Sequence, residues 1–428
     1  AAFALIFLHF PILIIILYAF TTEEASFQFP PPGLTTRWFG ELLNRQDFWA
    51  AFGLSLTVAL LVIWIVNNAA QLRRDGSSVA LYLPKIQTAE EAALWNDILS
   101  ALEAHLGLPT GTIKVYVLVE QLEACFQLME IRAALGRHFV GFNTGRWDYI
   151  NSVADAMYWD PAFVEPNIDA ITMTWGYMRN YEDRVRRSVN TPDKLGQFAL
   201  WQGGMEPNIP VGSEAGVTAG MTRAVAGAER EQREGASGKW VAHWKMVHIV
   251  RPVWEKVGQD NQLGRPFPPL TYTQADADGL TVCDAAPRTV RGARDLLSVG
   301  LQYGNAFGQG MQAAALKPAD FFGNEDVLYL MEDMATGEIR LSILWEWLHK
   351  QAPFTADDDA TGVKAGDTLT PALFARLLDE EYAKLQQGAG SPYIDPEGYK
   401  KYVAEKEAAF RTELAKQTAA LSESARSK

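Results

Sequence analysis

The chain has 428 residues, a formal net charge of −13 and two cysteines, Cys125 and Cys283. Such a length allows two or three domains. The acidic balance argues against nucleic acid as a partner, because no basic surface is suggested to neutralise phosphates. Two cysteines give no disulfide framework and suit a reducing compartment.

Apolar residues concentrate at the start. Residues 1–20 read AAFALIFLHFPILIIILYAF and residues 48–66 read FWAAFGLSLTVALLVIWIV, both without a formal charge. A spanning helix needs about 20 apolar residues, so both runs are expected to cross a membrane as an antiparallel hairpin. No basic region or cleavage site marks the first as a signal peptide. Buried core helices of a soluble protein are the alternative for the pair. Arg73 and Arg74 follow the second run. The positive-inside rule then puts residues 67 onward in the cytoplasm, beneath an inner or plasma membrane. Pro30-Pro31-Pro32-Gly33 reads as a stiff extended stretch of the outer loop. The opening on Ala1 rather than Met points to a natural start upstream.

After Asn67 short β-rich runs alternate with helical stretches. Residues 79–84 read as a strand and 88–105 as an amphipathic helix, with Ala92, Trp95, Ile98 and Leu102 on one face. Ile113 to Val119 is a buried strand, and 121–136 a helix closed by Gly136. Strands are expected again at 138–142, at 170–174 and around Gly203-Gly204-Met205. The charged, Gly-rich segment 224–239 reads as a surface loop or helix end, and 285–316 as helical. Asp357-Asp358-Asp359 reads as a linker before helices at 370–386 and 399–421. Strands alternating with helices imply a parallel sheet and, at this length, a (β/α) barrel.

Three acidic residues carry the chemistry. Glu120 ends an apolar strand, where a carboxylate has a desolvation cost unless something pairs with it. At the C-terminal end of a barrel strand it would point into the mouth. Asp148 follows the next strand, and two carboxylates from adjacent strand ends suit Mg²⁺, which takes hard oxygen ligands. On spacing alone, structural ion pairs, with Arg132 or Arg146 as partners, are the better account of both acids. Asp333, after Glu332, reads by itself as an acidic residue opening a helix. The histidines show no metal-ligand spacing, Cys125 reads as core, and no phosphate loop is present.

Longer motifs add a resemblance. Phe142 to Ile150, with Gly145-Arg146-Trp147-Asp148-Tyr149-Ile150 at its end, is similar to the malate synthases. So are the strand Val115 to Glu120 and the segment Leu330 to Ile339. Tyr82-Leu83-Pro84-Lys85, Met178-Arg179-Asn180-Tyr181, Gly203-Gly204-Met205 and Trp240-Val241-Ala242-His243 support them. The resemblance runs from about residue 67 to the end. It implies an acyltransferase joining acetyl-CoA to glyoxylate, with malate and CoA as products. It implies that Glu120 and Asp148 bind Mg²⁺, that Gly145, Arg146 and Trp147 lie where glyoxylate binds, and that Asp333 removes a proton from the acetyl methyl. The implied fold is a partial TIM-type (β/α)8 barrel with a C-terminal helical domain. The family's glyoxylate-binding arginine, carried on an earlier strand, has no counterpart, so impaired activity is expected. Glu206-Pro207-Asn208 replaces small residues near the thioester site.

Residues 1–66 resemble the start of a spermidine/putrescine-type ABC transporter permease, through His9-Phe10-Pro11, Tyr18-Ala19-Phe20, Arg37-Trp38-Phe39 and Ser55 to Ala59. The expected organisation is therefore a transmembrane hairpin over 1–66, a truncated barrel over 67–265 and a C-terminal part over 266–428. The junction near Ile65–Asn67 reads as a fusion. The alternative reading is a membrane transport component whose synthase-like region is inert.

Overall fold

The computed structural model describes residues 20, 33–37, 45–210, 214–316 and 330–387, with side chains of the first helix described from Ala59 onward. The chain divides into two units, 1–79 and 80–428. In the first unit, α1 (Gln46–Arg74) is 29 residues long and ends on Arg73 and Arg74, which complement the negative end of the helix dipole. The apolar run 48–66 is thus helical, inside a longer helix. Among the described residues, no helix is long and apolar enough to cross a membrane. The expected span 1–20 lies outside the described residues except for Phe20, as does the expected helix 399–421.

The second unit is α/β. The strand β1 (Val79–Leu83) leads to α2 (Ala89–Leu106), whose start is fixed by a reciprocal cap. Glu91 N–H donates to Thr88 Oγ1 at 3.3 Å, and Thr88 N–H donates to the Glu91 carboxylate at 3.0 Å. Gly107 ends the helix in the left-handed conformation. In β2 (Ile113–Val119) the residues Ile113, Val115, Val117 and Val119 are fully buried while their neighbours are half-buried. This period of two assigns Lys114, Tyr116, Leu118 and the following Glu120 to the opposite face.

Then follow α3 (Leu128–Leu135), β3 (Phe139–Thr144), α4 (Arg146–Met157), α5 (Gly176–Val189), β4 (Leu200–Glu206), α6 (Glu214–Glu234) and β5 (Gly238–Val241). The sheet order is β1-β2-β3-β4-β5. The pairs β2–β3, β3–β4 and β4–β5 are parallel, as helical crossovers require. The five strands among the described residues do not make the eight of a closed barrel, yet the sheet is strongly curled. Tyr82 of β1 stacks on Tyr116 of β2 at 5.3 Å and on Trp240 of β5 at 5.4 Å, so side chains of the two edge strands meet across the concave face. The face that carries Tyr116 and Glu120 is therefore the inside of the curl.

Two local expectations are corrected and a third is narrowed. The helix expected at 121–136 splits into a 3-10 turn, Glu123–Phe126, and α3, because Gln127 leaves the helical region at φ −132°. The strand expected at 170–174 is a turn: Thr172 N–H donates to Ala170 at 2.9 Å and Trp175 N–H to Thr172 at 3.0 Å. The guanidinium of Arg146 takes the Ile171 carbonyl, so no ladder forms there. Of the two readings open for 224–239, the helix end holds and the surface loop does not: the segment is the end of α6 followed by β5.

The remainder is mainly helical: α7 (Val247–Glu255), α8 (Gln274–Gly279), α9 (Val290–Gly308), the antiparallel pair β6 (Ala314–Leu316) and β7 (Leu330–Glu332), α10 (Met334–His349) and α11 (Pro371–Gln386). The helix α9 packs on both α10 and α11, through a core including Leu296, Leu297, Ile343, Trp347, Phe374 and Leu377. Two backbone links tie β7 to the chain just past β4. Met331 N–H donates to Pro207 at 2.9 Å, and Asn208 bridges Leu330. These links bring Asp333, the next residue after β7, to the strand ends.

Candidate active site

Glu120, Asp148 and Asp333 line one cavity of about 390 Å³ at the strand ends, together with Gly145, Arg146 and Trp147. All six residues singled out in the sequence are thus brought together. Each arrives by a different route. Glu120 follows β2 on the concave face and is only 2% exposed. Asp148 sits in the first turn of α4, which starts directly after β3. Asp333 is the N-cap residue of α10.

Lys85, two residues past β1, joins the first two acids. Its N–H donates to Glu120 Oε1 at 2.6 Å, and its ammonium pairs with Asp148 Oδ1. Its φ is +58°, in the left-handed region that non-glycine residues rarely occupy. Burial pushes the Glu120 carboxyl above its ordinary range; Lys85 opposes that shift and Asp333 adds to it. Gly145 must be small here, because a Cβ on it would lie 2.8 Å from Glu120 Cβ.

Asp333 behaves unlike an ordinary helix cap. Such a carboxylate usually accepts a backbone N–H of the first turn. Asp333 makes no side-chain cap bond, and its Oδ1 is buried without a hydrogen-bond partner. Asp333 lines the cavity, and a carboxylate there can receive a proton from a bound molecule.

The start of α4 is also uncapped by any side chain, since its N-cap residue is Gly145. The first N–H groups of such a helix favour an anion. Arg146, the first residue, stacks over the Trp147 ring at 4.6 Å. Burial lowers its pKa and the Glu332 carboxylate raises it. A second guanidinium, that of Arg340, lies 5.9 Å from the centroid of the same ring.

Sequence reasoning missed the far wall. Arg230 of α6 binds Glu182 of α5 in a bidentate pair at 2.6 and 2.8 Å. Lys239 of β5 pairs with Glu231 of α6 at 2.9 Å, and both side chains are 7% exposed. Glu231 lies against Gly203, where a Cβ would meet its Oε2 at 2.5 Å. Glu206 is buried and accepts from Asn208 N–H at 3.2 Å. The described lining therefore holds five carboxylates, Glu120, Asp148, Glu206, Glu231 and Asp333, against three cations, Arg146, Arg230 and Lys239. The excess negative charge and hard oxygen donors fit a divalent cation such as Mg²⁺, which commonly takes two protein carboxylates and completes its shell with water or substrate. No group of three acidic, histidine or cysteine ligands occurs among the described residues. His243 accepts from Lys245 N–H at 3.2 Å, and burial pushes the thiols of Cys125 and Cys283 up to about 12. None of these three residues lines the cavity.

Residues 50–271 match the malate synthase TIM-barrel domain, and residues 288–421 match the malate synthase C-terminal domain. The first match opens inside α1, ahead of Asn67, so most of the apolar run 48–66 falls within it. A malate synthase of Myxococcus xanthus is 33% identical over 77% of this chain and 57% of its own. Malate synthase A of Escherichia coli is 33% identical over 74% of this chain and 55% of its own. A bifunctional glyoxylate cycle protein of Caenorhabditis elegans is 36% identical over 71% of this chain and 29% of its own. The chain spans about half the length of the malate synthases it matches.

Proposed function

Because the chain belongs to the malate synthase family, we propose that it joins the acetyl group of acetyl-CoA to glyoxylate, with malate and CoA as products. One observation carries this reading: Asp333, whose Oδ1 is buried without a hydrogen-bond partner, lines the same cavity as Glu120 and Asp148.

In this reading Glu120 and Asp148 hold Mg²⁺. When bound, that ion supplies Lewis-acid polarisation of the glyoxylate aldehyde. The uncapped start of α4 at Gly145, Arg146 and Trp147 receives the glyoxylate carboxylate. Asp333 Oδ1 takes a proton from the acetyl methyl. The resulting carbon nucleophile attacks the aldehyde carbon, and hydrolysis of the malyl thioester releases malate and CoA. Developing negative charge needs a positive partner in a dry site. Arg230 and Lys239 stand in the wall, but each is already paired with a carboxylate.

The test is release of CoA thiol by the purified chain with Mg²⁺ and acetyl-CoA. Release that requires glyoxylate supports the reading. A rate that is the same with and without glyoxylate rejects it. Membrane placement is a separate proposal. It now rests on the uncharged run 1–20, with the synthase-like part in the cytoplasm. Retention of the expressed chain in the membrane pellet after carbonate extraction supports it, and release into the supernatant rejects it.

A further inference from the structure

Lys85 holds the two acids assigned to the metal through two separable arms, and this has a consequence for cation binding that rests on the Mg²⁺ reading above. One arm is the main chain: the N–H bond to Glu120 Oε1 at 2.6 Å, which any side chain at this position would keep. The other is the ammonium on Asp148 Oδ1. The Lys85 side chain is 49% exposed, while that of Asp148 is 15% exposed. A long, flexible and half-exposed lysine stem can swing into solvent without disturbing the backbone bond. A divalent cation on Asp148 would repel an ammonium a few ångströms away.

We infer that the Lys85 ammonium is a built-in competitor for the divalent-cation site, neutralising Asp148 until a cation displaces it. The charge balance agrees. Glu120, Asp148 and Asp333 stand close together, and the Lys85 ammonium is the cation paired with Asp148 among the described residues. Displaced, the ammonium remains tethered at the mouth by the fixed main chain.

The competitor and a merely structural lysine differ in sign. Removing a structural clamp loosens Asp148 and weakens metal binding. Removing a competitor strengthens it. Calorimetric titration of the full chain with Mn²⁺ and with Mg²⁺, at one pH and ionic strength, separates the two. Lys85→Met deletes the charge and keeps the stem. It should bind about two- to fivefold more tightly than the wild type, the factor that an exposed ion pair sets. Lys85→Arg keeps a cation and should return affinity toward the wild-type value. Lys85→Gln gives the same reading as Lys85→Met should the latter fold poorly, as circular dichroism will show. Unchanged or weaker binding by both neutral variants, with the wild type binding, overturns the competitor and leaves the metal site standing. No heat from the wild type or either neutral variant at millimolar cation overturns the metal site and the competitor with it. Binding by the neutral variants alone supports the competitor in its strongest form.

Discussion

Gly145 sets the spacing on which the acid pair depends. Its φ of −89° is open to any residue, so space alone demands glycine. A Cβ would lie 2.8 Å from Glu120 Cβ and 3.0 Å from Glu120 Oε2. Gly145→Ala should therefore displace Glu120, lower stability by about 1–3 kcal/mol through overpacking, and weaken Mg²⁺ binding. Thermal melts and calorimetry check both effects. A variant with unchanged melting and unchanged affinity would show that the contact is not tight in solution. The residues of this centre differ in how legible they were. Glu120, Asp148 and Asp333 could be named because each lies in a motif of several residues. The roles of Lys85 and Arg230 could not, because their partners lie 35 to 63 residues away for Lys85 and across α5 and α6 for Arg230. Only the folded sheet brings them together.

At the scale of elements, α6 shows why one stretch was legible only in part. Glycine and charge over 224–239 left a surface loop and a helix end both open, since glycine is costly within a helix. Yet Gly216, Gly220, Ala224 and Ala228 recur every four residues and are all buried, a small-residue face that lets α6 lie close to its neighbours. The signal was in the spacing rather than the composition. The strands and α2 were legible because alternation and capping agree there with the packing. The contact of α10 with the loop after α4 was not legible, and it holds a buried acid pair. Glu346 of α10 accepts from Glu165 N–H at 2.9 Å, while Glu165 accepts from the Tyr177 hydroxyl. Burial raises Glu165 well above its ordinary range, and Glu346 adds to the shift. Burial likewise raises Glu346 from 4.5 to about 7, against the opposing effect of Lys350. Acids with raised folded-state pKa values give stability that is complete below the ordinary value of 4.5 and is lost as pH climbs through about 7. Glu165→Gln keeps an acceptor for Tyr177 and removes one buried charge. It should raise the melting temperature by about 2 °C or more at pH 8, with no gain near pH 4.5. A lower melting temperature at pH 8 would mean that the Glu165 charge is favourably paired.

Across the whole molecule, the curled sheet has five strands among the described residues, and Tyr82, Tyr116 and Trp240 stack on its concave face. The alternation of strand and helix announced a parallel α/β sheet curled toward a barrel, whereas the aromatic contacts between its distant strands were not legible. The chain belongs to the malate synthase family while spanning about half of the malate synthases it matches. The account's central claim is that the centre nevertheless works as one unit, with two acids for the cation and Asp333 as the base. Replacement of Asp333 by asparagine tests it most directly, because the amide keeps the shape and cannot take the proton. Glyoxylate-dependent thiol release from acetyl-CoA is measured for the wild type and Asp333→Asn, with Mg²⁺ affinity measured alongside as a control for folding. The account predicts glyoxylate-dependent release by the wild type and a loss of about 10²-fold or more in Asp333→Asn, at unchanged Mg²⁺ affinity. Release by Asp333→Asn at the wild-type rate would contradict it.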